Sequence, residues 1–253
     1  MCGIFGIISN KKINIKDVRK LALHARQRGR DSSGILYYDE DQYVVKKANF
    51  DIKRFLSLKS KLNTECIFGH SRLITNGLDD NQPVVRDNIC VLHNGIVVNA
   101  DEIWSQLDVP RLLEIDTEVI AAIALQFLSE GGSLNNLPKK VLGMCRGTVA
   151  CAMVLPRLGK VLLFSNNGSL YIGKNKETTC FSSEKFPLES MGCQDIEQIF
   201  QQGYLIDITQ SNKIEVEEVC NRSENLIPAF KNLREEEDML LCANPDLKRC
   251  TKC

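Results

Sequence analysis

Apolar residues along this chain fall into two patterns: short continuous runs, and longer stretches with a period near 3.6. Cys2-Gly3-Ile4-Phe5-Gly6-Ile7-Ile8 is a short apolar run ended by Ser9-Asn10, and it predicts a buried strand from Cys2 to Ser9. Asn14 stands at an N-cap position ahead of Val18, Leu21, Ala22 and Ala25, which share one helical face with basic residues opposite; that helix should stop near Arg28-Gly29. Asp31-Ser32-Ser33-Gly34 reads as a turn-rich segment. Ile35 to Tyr38 and Gln42 to Lys47 read as a hairpin across Asp39-Glu40-Asp41. Cys66 to Phe68 and Ile89 to Leu92 are further strands, with Gly69-His70-Ser71-Arg72 after the first and His93-Asn94-Gly95 after the second. Thr75 to Asp87 has no periodicity and reads as a long loop, a kind that often serves as a lid or binding segment.

Val119, Ile120, Ile123, Ala124, Phe127 and Leu128 predict a strong helix, capped by Asp116 or Thr117 and ended by Gly131-Gly132. A weaker helix spans Leu137 to Met144, with Pro138 tolerated in its first turn. From Gly147 the pattern changes to strands: Thr148 to Leu155 and Lys160 to Phe164 around a Pro156-Arg157-Leu158-Gly159 turn, then Leu170 to Ile172, Cys180 to Ser182, Tyr204 to Ile208 and Lys213 to Glu218. Two groups of strands with helices between them predict antiparallel sheets with helices packed outside. After Val219 the pattern weakens. The charges of Arg234-Glu235-Glu236-Glu237-Asp238 read as a solvated helix face, so the expected organisation is one domain over 2–219 and a connector or tail over 220–253.

Composition narrows the function classes. Thirty-two basic and thirty-two acidic residues cancel, which argues against a field built for nucleic acid or an anionic membrane. No apolar stretch approaches the roughly 20 residues of a membrane helix, and the opening run lacks the basic leader of a signal peptide. The expectation is a cytoplasmic protein with no nucleic-acid or membrane partner. The eleven cysteines are odd in number and are read as reduced; Cys66, Cys90, Cys145, Cys151 and Cys180 lie in or beside apolar runs and read as small buried hydrophobes.

Four separated segments carry candidate chemistry. If Met1 is removed, Cys2 carries a thiol nucleophile and an α-amine with a pKa of roughly 7.7–8.0 on one residue, so base and nucleophile coincide. A structural cysteine in an apolar strand is the plain alternative. The Asn94 amide and the Gly95 N–H can form an oxyanion hole, although Asn-Gly is also a common turn. Arg72 can grip a carboxylate with two parallel hydrogen bonds or form a surface ion pair. Asp116 can accept from an ammonium group or cap a helix. Arg plus Asp is the minimal pair for holding a free amino acid. His24, His70 and His93 are read as structural.

On Cys2-Gly3-Ile4, Arg28-Gly29-Arg30-Asp31-Ser32-Ser33-Gly34, Gly69-His70-Ser71-Arg72, His93-Asn94-Gly95 with Asn99, and Asp116-Thr117-Glu118-Val119-Ile120, the chain resembles the class II glutamine amidotransferase domain of the N-terminal-nucleophile hydrolase superfamily, over residues 2–210. The resemblance implies an α+β fold, a four-layer α/β/β/α sandwich of two antiparallel sheets covered by helices. It implies hydrolysis of glutamine by Cys2, with Asn94 and Gly95 at the oxyanion. Arg72, Leu73, Thr75, Asn76 and Asp116 would bind the substrate, the segment through Asn81 would close over it, and Arg28 and Gly29 would support the N-terminus. No metal or other cofactor is implied.

The ammonia would pass to an acceptor synthetase domain or subunit, ATP-dependent, or to a sugar amidotransferase. Leu73 and Asn76 stand where the hexosamine-forming branch usually has Trp and often has His, and Arg30 where many members of the family have Pro, whereas Leu170-Tyr171 and Phe181-Ser182-Ser183-Glu184 look more like the asparagine-synthetase branch. No acceptor domain is visible in the chain. Cys250-Thr251-Lys252-Cys253 offers half of a four-ligand zinc site but is read first as a disordered end; it is also similar to the opening of ATP-dependent amidotransferases that modify N-acetylated sugars, a resemblance that implies the glutaminase part of a longer enzyme. Three alternatives stay open: the glutaminase domain of a hexosamine-phosphate-forming aminotransferase, a non-catalytic regulatory protein of the same fold, and a hydrolase of another amide.

Overall fold

The opening apolar run forms β1 (Gly3–Ser9), buried along most of its length. The computed structural model describes residues 2–57, 63–75, 77 and 80–219; the charge cluster at 234–238 and the tail cysteines lie outside that set. Asn14 caps α1 (Ile15–Arg28), its Oδ1 accepting the Lys16 N–H at 3.0 Å, and the expected face of Val18, Leu21, Ala22 and Ala25 is the buried one. The hairpin of β2 (Ser32–Asp39) and β3 (Gln42–Ala48) turns at Glu40 and Asp41, both at positive φ (40° and 68°), the twist a two-residue connection needs. The chain continues through α2 (Ile52–Ser57), β4 (Cys66–Arg72), β5 (Val84–Arg86), β6 (Ile89–Val97), α3 (Ala100–Trp104), α4 (Thr117–Ser129), α5 (Leu137–Met144), β7 (Gly147–Leu155) and β8 (Lys160–Ser165). It ends in β9 (Tyr171–Asn175), β10 (Thr178–Ser182), α6 (Lys185–Ser190), β11 (Gln194–Gln198), β12 (Gln202–Asp207) and β13 (Ile214–Val219).

Two sheets result, one of eight strands in the order β11-β9-β10-β1-β4-β2-β3-β13 and one of five in the order β12-β8-β7-β6-β5. Three apolar layers show how they stack. Leu92, Ala152, Leu163, Phe68 and Phe181 fill the space between the sheets. Leu21, Phe55 and Leu188, from α1, α2 and α6, cover the outer face of the larger sheet; Ile120, Ile123 and Val141, from α4 and α5, cover the smaller. This is the expected α/β/β/α order. One pairing departs from the expectation, since β13 runs parallel to β3. The chain reaches that edge by crossing from β12 in the other sheet, so no hairpin dictates its direction.

The sequence misplaces some boundaries and misses short elements. Ser32-Ser33-Gly34 is strand rather than turn, because it pairs with Arg72-Ser71-His70 across β4; tertiary pairing overrides the local preference of those residues. The elements α2, α3, α6, β5 and β11 are three to six residues long, too short for a hydrophobic period to register. No helix among the described residues is long and apolar enough to cross a membrane.

Glycines opposite phenylalanines let the central strands pack closely. Gly6 pairs with Phe68 and Phe181, whose rings stack 5.9 Å apart on the face between the sheets, and a Cβ on Gly6 would lie 2.2 Å from the Phe181 ring. Gly69 makes the same space for Phe5 on the outer face. Gly6→Ala should therefore overpack the core and cost roughly 1–3 kcal/mol in chemical denaturation, with the slope against denaturant unchanged.

Candidate active site

Cys2 enters the fold immediately before β1, a strand bonded to β4 on one side and β10 on the other. Its thiol donates to the Leu73 carbonyl at 3.5 Å. Its own carbonyl accepts from Arg28 Nε at 2.8 Å, while Arg28 Nη1 reaches Glu184 Oε1 at 2.7 Å. The next residues hold the end of β4: Ser71 Oγ donates to the Gly29 carbonyl (2.9 Å), Asp31 N–H to the Arg72 carbonyl (3.0 Å), and Ile74 N–H to Asp31 Oδ2 (2.8 Å). Gly29 has no side chain to hold the Arg72–Leu73 backbone away. One turn thus grips both Cys2 and the segment that carries Arg72.

Arg72 is buried at the end of β4, and its Nη2 donates to the Gly77 carbonyl at 3.0 Å. Burial pulls the pKa of its guanidinium down, and the Cys2, Asp116, Asp80 and Asp31 groups push it back up. Burial likewise pushes the Cys2 thiol above its ordinary value; a Leu73 backbone hydrogen bond and the Arg72 charge oppose that, and Asp116 adds to it. Arg72 and Asp116 thus both bear on the charge of the Cys2 thiol, in opposite senses. Leu73 is half-buried, Thr75 is exposed, and Asn76 lies outside the described residues.

Asn94 and Gly95 do not follow a strand but sit within β6, paired to Ala150 and Val149, because β7 continues alongside as far as Gly147. The turn reading of Asn-Gly is set aside by that pairing. Asn94 is 1% exposed; Nδ2 donates to Ser183 Oγ at 3.4 Å, and Oδ1 has no hydrogen-bond partner. Ser183 Oγ also accepts the Ile4 N–H at 2.9 Å, so one hydroxyl joins the Asn94 amide to the strand that carries Cys2. A side chain at Gly95 would meet the Thr148 carbonyl at 1.9 Å.

Asp116 occupies the N-cap position of α4 but makes no capping bond. Its Oδ2 instead accepts the Val97 N–H at 2.8 Å, which ties it to the end of β6. The capping reading is corrected accordingly.

Several site-building residues are not evident from the sequence. Glu118, fully buried, pairs with Arg86 and accepts the N–H groups of Leu112 and Leu113, while Arg86 donates to the Pro110 carbonyl at 3.1 Å. Its only signal was a charge inside an otherwise apolar helix start. Gln82 donates to the His93 carbonyl (3.2 Å) and accepts its N–H (2.6 Å). The same carbonyl accepts from His70 Nε2 at 3.3 Å, so His70 and His93 link the sheets structurally, as expected. Among the described residues no group of three or more His, Cys, Asp or Glu is arranged to hold a metal. The five cysteines expected to be buried are buried, and burial pushes Cys66 to about 11 and Cys90 and Cys145 to about 12.

A family model described as a glutamine amidotransferase domain matches residues 70–190. Glutamine–fructose-6-phosphate aminotransferase of Helicobacter pylori is 29% identical over 196 residues, 72% of this chain and 32% of its own. The enzyme of that name from Wigglesworthia glossinidia brevipalpis is 30% identical over 238 residues, 89% of this chain and 38% of its own. By these matches the chain is similar to glutamine amidotransferase domains. It spans about a third of the length of these relatives. The solved structure of glutamine phosphoribosylpyrophosphate amidotransferase from B. subtilis superposes with a TM-score of 0.67 at 22% identity, covering 81% of this chain and 47% of that one, a likeness of fold. The likeness lies in the four-layer sandwich described above.

His70 offers a test of the inter-sheet link. Burial and the Arg72 charge hold its pKa at about 3, against an ordinary 6.5. Between those values the unfolded chain binds a proton that the folded domain refuses, so stability falls as pH drops below 6.5. The loss should approach about 1.4 kcal/mol per pH unit. His70→Gln, which can keep the bond to the His93 carbonyl, should show a shallower dependence in denaturation measured from pH 7 to pH 4.

Proposed function

We propose that this domain hydrolyses the side-chain amide of glutamine, with Cys2 as nucleophile after removal of Met1. The observation that carries the proposal is the joint placement of the Cys2 thiol with one buried cation, Arg72, and one buried anion, Asp116. Arg72 binds the α-carboxylate and Asp116 the α-ammonium, which leaves the amide at the sulfur. The Cys2 α-amine takes the thiol proton as sulfur attacks the amide carbon. The Asn94 amide and the Gly95 N–H hold the oxyanion. The proton then passes to the departing nitrogen, ammonia leaves, and water cleaves the thioester to glutamate. Burial supports the need for a base, since it favours the neutral thiol. Leu73 adds a backbone contact at the sulfur, and Thr75 and Asn76 complete the substrate side in this proposal. Arg28 and Gly29 hold the entering chain.

The ammonia goes on to an acceptor. We assign that role to a synthetase or sugar amidotransferase unit that uses ATP, in a cytoplasmic enzyme whose glutaminase domain is residues 2–219 and whose connector is 220–253. Leu170-Tyr171 and Phe181-Ser182-Ser183-Glu184 favour the asparagine-synthetase branch for it, and Leu73 departs from the hexosamine-forming one.

Cys2→Ala should abolish ammonia release from glutamine. Asn94→Ala should lower kcat by about 10²–10³ with a smaller change in KM. Because the thiol is neutral at pH 7 and only the unprotonated amine can accept its proton, kcat/KM should rise with pH through the amine pKa, near roughly 7.7–8.0. Mass spectrometry of active protein that still carries Met1, or an acetylated Cys2, would overturn the scheme.

A further inference from the structure

The segment after β4 and the segment before α4 are fastened together by one carboxylate. Asp80 Oδ2 accepts the N–H groups of Glu114 (2.6 Å) and Ile115 (2.9 Å). The Asp80 N–H donates to the Gly77 carbonyl at 3.1 Å, the same oxygen that takes the Arg72 Nη2 bond at 3.0 Å. Gly77 sits at φ +54°, and a Cβ there would lie 2.6 Å from the Ile115 nitrogen, so the two backbones touch. From the other side Glu118 holds the Leu112 and Leu113 amides. Ile115 leads directly into Asp116, whose own carboxylate is fixed on Val97. An unbroken chain of short contacts therefore runs from the Arg72 guanidinium through Gly77 and Asp80 to Asp116.

We propose that Asp80 is a positioning residue that sets the distance between Arg72 and Asp116, and with it the affinity for a free α-amino acid. The inference rests on the assignment of those two residues to the glutamine carboxylate and ammonium. A carboxylate bonded to two backbone amides makes strong, charge-assisted contacts, and neutral or absent side chains there should let the two halves of the clamp drift.

The test separates reagents that need the clamp from one that does not. In the full chain with Met1 removed, Cys2 is alkylated with a glutamine-shaped diazoketone and, separately, with iodoacetamide, and KM and kcat for glutamine are measured. D80A should slow the diazoketone and raise KM by roughly ten- to a hundredfold. The iodoacetamide rate and kcat should stay within about twofold of the original. D80N, which keeps the oxygen and loses the charge, should fall between; it decides the matter if D80A does not fold. G77A, whose Cβ would press on the Ile115 backbone, should show the same split between KM and kcat. Equal slowing of both reagents, or no change in either, would overturn the role of Asp80. A wild-type chain with no preference for the diazoketone would instead remove the glutamine assignment, and this inference with it.

Discussion

Strand β1 is hydrogen-bonded along both edges, and the site depends on that double pairing. The first described residues of the chain lie in the middle of the eight-stranded sheet, against Cys66–Arg72 on one side and Thr178–Ser182 on the other. Such contacts are distant in sequence, so the opening segment acquires its place only when both neighbours have theirs. The register then does the rest. Gly3 opposite Ser71 and Phe5 opposite Ser182 bring the start of β1 to the ends of the strands that supply Arg72 and Ser183.

The interface between the sheets is apolar over most of its area and polar where it meets the site. His70, Gln82 and His93 exchange hydrogen bonds there, and Asn94 meets Ser183. Buried polar groups are normally matched. His70 Nδ1 and Asn94 Oδ1 have no partner among the protein's own described groups. The Ser183 bond and the pairing of β6 with β7 hold the Asn94 amide in place.

Much of this was legible in the residues. The periodicity located α1, α4 and α5 closely because each has enough turns for a buried face to repeat. It was less informative for Ser32-Ser33-Gly34, where strand pairing on β4 outweighs turn-forming side chains, and for His93-Asn94-Gly95, where β7 carries the strand on past the apolar run. The direction of β13 was illegible, since a parallel edge and a hairpin leave the same alternation in the sequence. The motif residues Cys2, Arg72 and Asp116 could be named and their convergence only conjectured. The residues that build their surroundings were hidden for a simple reason. Asp80 and Gln82 act through backbone amides and carbonyls, and a backbone partner leaves no trace in the identity of the residue it belongs to; Glu118 and Ser183 lie within the motifs themselves, which do not say what they touch.

The cysteines divide the same way, by environment rather than by type. Cys66, Cys90, Cys145 and Cys151 are packed among apolar neighbours and held far from ionisation, whereas Cys2 is the least enclosed of the described cysteines. A peroxide or soft electrophile in the surrounding medium would meet that sulfur well before those four. Among those five thiols, chemical damage would thus silence the leading residue while the sandwich around it stayed intact.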